Sequence, residues 1–335
     1  MLRPRALAEP GRPGLYHVCS RVVDRRVIFG GRERRKFMGM IKGGAVFAGV
    51  EVVSWCLMGN HFHLLVRISP LDPESLSDEE VLARMEHIYP PTKMRHFRGV
   101  WDRMESEESR KVYLARFRAR MGRLSEFVKT LKQRFTQWFN RRTNREGTLW
   151  EGRFFSVMLA HNESGDGAGL GVLARFVAGY IDLNPVRAKV THHAGDSSWS
   201  SYGAALRGDN EALEGMKALW GRDATEDLDA AGLAAMHGRM LERALFRDTQ
   251  GADAGSSQPI SESGETAQTS RRPRSDPGSP SGPRSDKESR VSSLEPGEWA
   301  EDRVESRLFA RMGMRCEALT RRRVLGQGWV RSQIE

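Results

Sequence analysis

Between Leu15 and Ala205, stretches with apolar residues at every second position alternate with stretches where they return every three or four. Leu15–Val23 (LYHVCSRVV), preceded by Pro13-Gly14, reads as a strand. Arg32–Ala48 sets Phe37, Met40, Ile41, Ala45 and Ala48 on one helical stripe, although Gly39, Gly43 and Gly44 weaken a helix there. Val50–Met58 and His61–Ile68 read as two strands, and the short Gly59-Asn60 connection predicts a hairpin. Residues 72–121 are highly charged and read as a helical insertion. Arg123–Asn140 is the clearest amphipathic helix, with Leu124, Phe127, Val128, Leu131, Phe135, Trp138 and Phe139 at the 3.6 period. Arg153–Leu159 reads as a strand and Gly171–Leu183 as a helix stopped by Pro185. This order predicts an α+β fold with helices packed on one face of an antiparallel sheet.

Composition changes the picture at residue 251. Residues 251–300 are dominated by Ser, Gly, Pro, Arg, Asp and Glu, and they lack the apolar content to offset ordering entropy. A disordered linker is expected there. Residues 211–250 form a helical extension to a domain spanning 1–210, and 301–335 form a small C-terminal element. No apolar run reaches the ~20 residues of a membrane span, and the first residues lack a continuous apolar signal segment. The three cysteines, Cys19, Cys56 and Cys316, are odd in number and far apart, which fits neither a disulfide framework nor a Cys-rich zinc module. A reducing, cytoplasmic setting is the expectation.

The formal charge is +10, and it is concentrated. From Lys111 to Arg153 twelve Lys and Arg stand against three Glu, interleaved with Phe135, Trp138, Phe139, Trp150, Phe154 and Phe155. A solvated helix face ordinarily mixes both signs, so Arg123, Lys129, Lys132, Arg134, Arg141, Arg142, Arg145 and Arg153 are candidates for tracking a phosphate backbone. The aromatics at helical spacing read as core.

Two further groups bear chemistry. His61 and His63 are two apart on a strand, so they project together while Phe62, Leu64, Val66 and Ile68 project to the core. Paired imidazoles make a metal platform; they read equally well as two polar residues on a solvated strand face. Tyr180 ends an apolar helical stripe, which by itself describes a core tyrosine. Asn184 would follow one turn later if the helix persisted through Pro185. His17 lies on the first strand, and Trp199-Ser200-Ser201-Tyr202 reads as a packing turn.

Together LYHVCSRVVDRRVIF, WCLMGNHFHLLV, LKQRFTQWFNRRTNREGTLWEGRFFSV, YIDLNPVRA and WSSY resemble the REP-associated tyrosine transposases of the single-tyrosine HUH transposase superfamily, over about Leu15–Ala205. The chain carries Gly59 where that family usually has proline. The resemblance implies a ferredoxin-like fold, with His61 and His63 as metal ligands, Asn184 as a third and Tyr180 as the nucleophile. It implies Mg²⁺ or Mn²⁺ as cofactor. The implied partner is single-stranded DNA at hairpin-forming palindromic repeats, bound by a monomer or homodimer near the nucleoid. The alternative is a regulatory nucleic-acid-binding protein on the same fold, without catalysis.

Overall fold

The computed structural model describes Ala8, residues 11–159 and 169–254, with side chains to residue 245. The first four residues of the linker expected at 251–300 continue the helix Ala230–Ala254; the rest of it, the C-terminal element and Cys316 lie outside the described residues. Contacts group residues 1–251 into one unit. In chain order the elements are β1 (Gly14–Arg21), α1 (Gly31–Ala48), β2 (Val50–Leu57), β3 (His61–Ile68), α2 (Asp78–Glu86), α3 (Pro91–Asp102), α4 (Glu107–Arg118), α5 (Leu124–Thr143), β4 (Phe155–Leu159), α6 (Gly171–Asp182), α7 (Asn184–Arg187), α8 (Ser201–Ala205), α9 (Asn210–Trp220) and α10 (Ala230–Ala254).

The four strands form one antiparallel sheet in the order β2-β3-β1-β4. With α1 and α5 as the two crossover helices this is the ferredoxin-like arrangement. Alternation along the strands decides the faces. Tyr16, Val18, Phe62, Leu64 and Val66 enter the main core with Phe37 and Ile41 of α1 and Phe127, Leu131 and Phe135 of α5. Phe29, Phe37, Phe62, Phe135 and Trp150 pack ring to ring there, with centroids 4.8–6.3 Å apart. These aromatics belong to the core and are not base-stacking platforms.

Helix α1 forms despite its glycines because α5 packs closely on it: a Cβ at Gly44 would meet Phe127 at 3.3 Å. Gly49 ends it in the left-handed region at φ 66°, where glycine carries no Cβ penalty. A register shift between Val52 and Ser54 inserts one residue into β2. Beyond it Trp55 and Leu57 face the main core, and Cys56 pairs with His63. Helix α9 lies so close at the bulge that a Cβ at Gly215 would sit 2.4 Å from Val53 O.

The expected face-covering helices are α1 and α5, and the opposite face is covered too. Helix α6 packs on β2 and β3 there, with Ala174, Val177, Ala178 and Ile181 buried. The strand face carrying the histidines, expected to be solvated, is therefore largely closed. A helix that is mostly apolar (GVLARFVAGYID) needs such a surface.

Candidate functional site

Antiparallel pairing of β1 with β3 sets Cys19 opposite His63, Arg21 opposite His61 and His17 opposite Leu65. His17, Cys19, Arg21, His61 and His63 thus share the face that α6 covers, joined by Cys56 from β2. His17 and His63 are each 1% exposed, and His61 is half-buried. The rings of His17 and His63 stack at 5.2 Å and 11°, with His17 Nε2 and His63 Nδ1 3.0 Å apart. His61 meets His63 edge to face at 5.1 Å.

Tyr180, two residues from the end of α6, brings its ring edge-on to both buried imidazoles, 6.0 Å from His17 and 5.8 Å from His63. The Arg187 guanidinium lies over that ring, 5.3 Å from its centroid. The chain turns only slightly after α6: Leu183 keeps helical angles, and α7 begins at Asn184. Asn184 therefore does sit one turn beyond Tyr180, where its Nδ2 donates to Tyr180 O at 2.8 Å. That leaves its Oδ1 as the acceptor end of the amide.

The imidazoles are poor bases here. Burial pushes His17 down to about 4. Burial, then the charge of Arg21, pushes His61 down to about 4. His63 is held well below the usual range by burial first, then by His61, His17 and Arg21. Neutral imidazole is the ligating form. His61 Nδ1 faces Asn60 Oδ1 at 2.7 Å, so its Nε2 keeps the lone pair. His63 has the same tautomer if its Nδ1–H donates to His17. This donor set fits a divalent ion. Among the described residues no three His, Cys, Asp or Glu side chains converge to hold one, and Asn184 is the candidate for a third donor. Asn184 Oδ1 has the right chemistry.

Cys19 and Cys56 flank His63 from the two neighbouring strands, and both are buried thiols. With β3 between them they are roughly two strand spacings apart, about 9.6 Å, too far for a disulfide. Burial pushes the Cys56 thiol up, so it stays protonated.

Asp182 does a different task two residues past Tyr180. At 1% exposure it accepts from Ser201 Oγ at 2.8 Å and Tyr202 N at 3.0 Å through Oδ1, and from His237 Nε2 at 3.0 Å through Oδ2. Trp220 Nε1 donates to His237 Nδ1 at 3.3 Å, which puts the His237 proton on Nε2. Trp55 N and Ser54 Oγ meet Ser201 Oγ at 3.2 and 2.9 Å. A serine, an aspartate and a histidine are present, but the aspartate stands between the other two. The histidine has no path to the serine proton, so this is a staple for α6 and not a hydrolytic triad.

The basic candidates fall into two groups. Lys129 pairs with Glu126 at 2.6 Å, and Arg142 pairs with Glu33. Lys132 donates to Gly152 O at 2.7 Å and lies over Trp150. Arg134 is half-buried over Tyr89, and Arg145 donates to Thr148 O at 2.9 Å. Arg123, Arg141 and Arg153 are exposed. A cleft of about 660 Å³ lined by Lys129, Lys132, Gln133, Gln137 and Arg153 runs beside α5. The cations on α5 lie on the sheet face opposite Tyr180, so the structure does not bring them to the histidines.

Sequence reading assigned no role to Arg21, Asn60 or Arg187, although Asn60 and Arg187 lie in the two chemistry-bearing stretches, and it ranked His17 low. Each sits inside a motif quoted above, but its place depends on strand register or on a helix end, which only the fold supplies.

No family model and no curated protein matches this chain. The solved "Structure of the REP associates tyrosine transposase bound to a REP hairpin" is similar at TM-score 0.39 and 13% identity, over 62% of this chain and 87% of that one. Among the described residues no helix is long and apolar enough to cross a membrane.

Proposed function

We propose that this chain is a metal-dependent single-stranded DNA endonuclease and strand transferase, a transposase whose nucleophile is Tyr180 and whose substrate is hairpin-forming repeat DNA. One observation carries the reading: Tyr180, from a segment more than a hundred residues away in sequence, meets the buried His17–His63 pair at 5.8–6.0 Å. The motif resemblance over Leu15–Ala205 assigns Tyr180 and His63 of this group, together with His61 and Asn184, but not His17.

His61, His63 and Asn184 would hold Mg²⁺ or Mn²⁺. Bound there, the ion would polarise a non-bridging oxygen of the scissile phosphate as a Lewis acid. Imidazole donors favour Mn²⁺ on affinity. A phenol with an ordinary pKa of about 10 is a weak nucleophile at neutral pH, so positioning must supply much of the rate. Tyr180 Oη attacks phosphorus in line and gives up its proton to solvent; the new O–P bond forms as the P–O3′ bond breaks. The products are a 5′-phosphotyrosine and a free 3′-hydroxyl, which takes up a proton. The phosphodiester energy stays in the covalent link, so attack by a 3′-hydroxyl rejoins the strand without a nucleotide cofactor. Arg21 and Arg187 add positive charge where the phosphate would sit. The exposed Arg123, Arg141 and Arg153 suit a sequence-independent grip on the remaining DNA.

The deciding experiment incubates the protein with end-labelled single-stranded hairpin DNA and Mn²⁺ and resolves the products on a denaturing gel. A covalent adduct is expected, and Tyr180→Phe, which removes only the hydroxyl, should abolish it while binding persists. Binding without an adduct in the unmodified chain would return the protein to a regulatory DNA-binding role. A free 5′-phosphate without an adduct would point to attack by water.

A further inference from the structure

We propose that Asn60 is a positioning residue that fixes which nitrogen of His61 carries the proton, leaving Nε2 as the ligating atom, and that the turn at Asp24–Arg25 holds Asn60 to this task. The inference rests on His61 being a metal ligand.

The hydrogen bonds define the direction without ambiguity. Asn60 Nδ2 lies 2.9 Å from Arg25 O. A backbone carbonyl only accepts, so that end of the amide is the NH₂ group and the other end is oxygen. Asn60 Oδ1 lies 2.7 Å from His61 Nδ1. A carbonyl oxygen again only accepts, so Nδ1 carries the hydrogen. In a neutral imidazole Nε2 is then unprotonated. One carbonyl of a distant segment thus selects the tautomer of His61.

That carbonyl is held in an unusual backbone. Asp24 and Arg25 both have positive φ, 56° and 54°, a conformation L side chains seldom adopt, and here in two consecutive residues. Such strain persists where the surroundings over-determine it, and it gathers at functional sites. The surroundings do so here. Val22 N donates to Asn60 O at 2.8 Å, and Ile28 N and Phe29 N both donate to Gly59 O at 3.0 Å. The segment from Val22 to Phe29 is clamped onto the β2–β3 turn on both sides of the strained pair. No such device would be needed to bury an ordinary strand histidine, since either tautomer would serve.

The test uses the full-length chain, ¹⁵N-labelled and stripped of divalent ions. Two-bond ¹H–¹⁵N spectra of the imidazoles distinguish Nδ1–H from Nε2–H rings, and the His61 signals are those lost in His61→Gln. His61 should show the Nδ1–H pattern. Asn60→Ala should shift it to a mixture, and Asn60→Asp, whose carboxylate accepts from Nδ1–H but cannot donate to Arg25 O, should restore it in part. Mn²⁺ affinity, read by electron paramagnetic resonance of the free ion, should weaken roughly 10- to 100-fold in Asn60→Ala and be recovered in part in Asn60→Asp. An Nε2–H pattern in the unmodified protein overturns the proposal, as does an Asn60→Ala protein with unchanged spectrum and affinity. Should Asn60→Ala lack a thermal unfolding transition, the unmodified and Asn60→Asp spectra decide. An unmodified protein that binds no Mn²⁺ while its tautomers follow the expected series overturns the metal reading and leaves the role of Asn60 supported.

Discussion

His61 and His63 are two residues apart on one strand, yet the fold loads them differently. His63 is 1% exposed, stacked on His17 and flanked by Cys19 and Cys56. Its truncation opens a cavity under α6 and strips His17 Nε2 of its partner. His63→Ala should therefore cost about 2–4 kcal/mol of stability. His61 is half-buried, and its hydrogen bond is to Asn60, so His61→Ala should cost about 1 kcal/mol. Urea unfolding of the two variants separates these values, and equal losses would contradict the enclosure of His63. Both variants should lose metal-dependent cleavage; normal cleavage by either would end its candidacy as a ligand. Strand alternation alone made the pair look like two side chains on an open face. The difference between them comes from α6, which no periodicity within β3 reports.

At the scale of elements, α5 and the residues flanking it carry two populations of cations that the sequence does not distinguish. The stripe of Leu124, Phe127, Leu131 and Phe135 was readable from spacing and is buried as expected. What the charges touch was not, because the partners are remote: Glu33 for Arg142, Tyr89 for Arg134 and Gly152 O for Lys132. Reversing charge at the exposed Arg123, Arg141 and Arg153 should weaken binding to all hairpin sequences alike. It should also flatten the slope of log K against log salt by roughly 0.7–0.9 per lost phosphate contact. The unfolding midpoint should not move. Arg134→Glu should instead lose about 1–2 kcal/mol, since a carboxylate replaces a half-buried guanidinium packed on an aromatic ring. Fluorescence anisotropy over a salt series, paired with thermal melts, checks both arms; an unchanged slope in the exposed triple variant would refute a phosphate-tracking role. Strands β1 and β3 teach the same lesson. The alternation that assigns their faces is local and legible, whereas the register that sets Cys19 opposite His63 is fixed by hydrogen bonds between segments some forty residues apart.

Across the whole molecule, the question is which parts of the chain hold Tyr180 in place. Asp182 gives the answer, because its two carboxylate oxygens gather Ser201 and Tyr202 of α8 and His237 of α10 at the end of α6. The motif WSSY, read as a packing turn, is thus an anchor for the helix that carries Tyr180, and the anchor extends past the motifs to α10. Leu233, Ala234, His237 and Leu241 of α10 are each no more than 2% exposed. By contrast, residues 251–297 offer few apolar side chains with which to pack on anything. His237→Ala should leave Asp182 Oδ2 buried without its donor and cost about 2–3 kcal/mol. It should also slow adduct formation and weaken Mn²⁺ affinity only modestly, because the histidines on β3 are separate from the staple while Asn184, two residues past Asp182, is not. Deleting 251–297 should change neither the unfolding midpoint, nor DNA affinity, nor adduct yield, since linker length is tolerated when its ends bear no packing. Differential scanning calorimetry and the adduct gel read both variants. A deletion that stopped cleavage would place a substrate contact in 251–297, and a His237→Ala protein as stable and as fast as the original would show that Tyr180 is held from β2 and α8 alone.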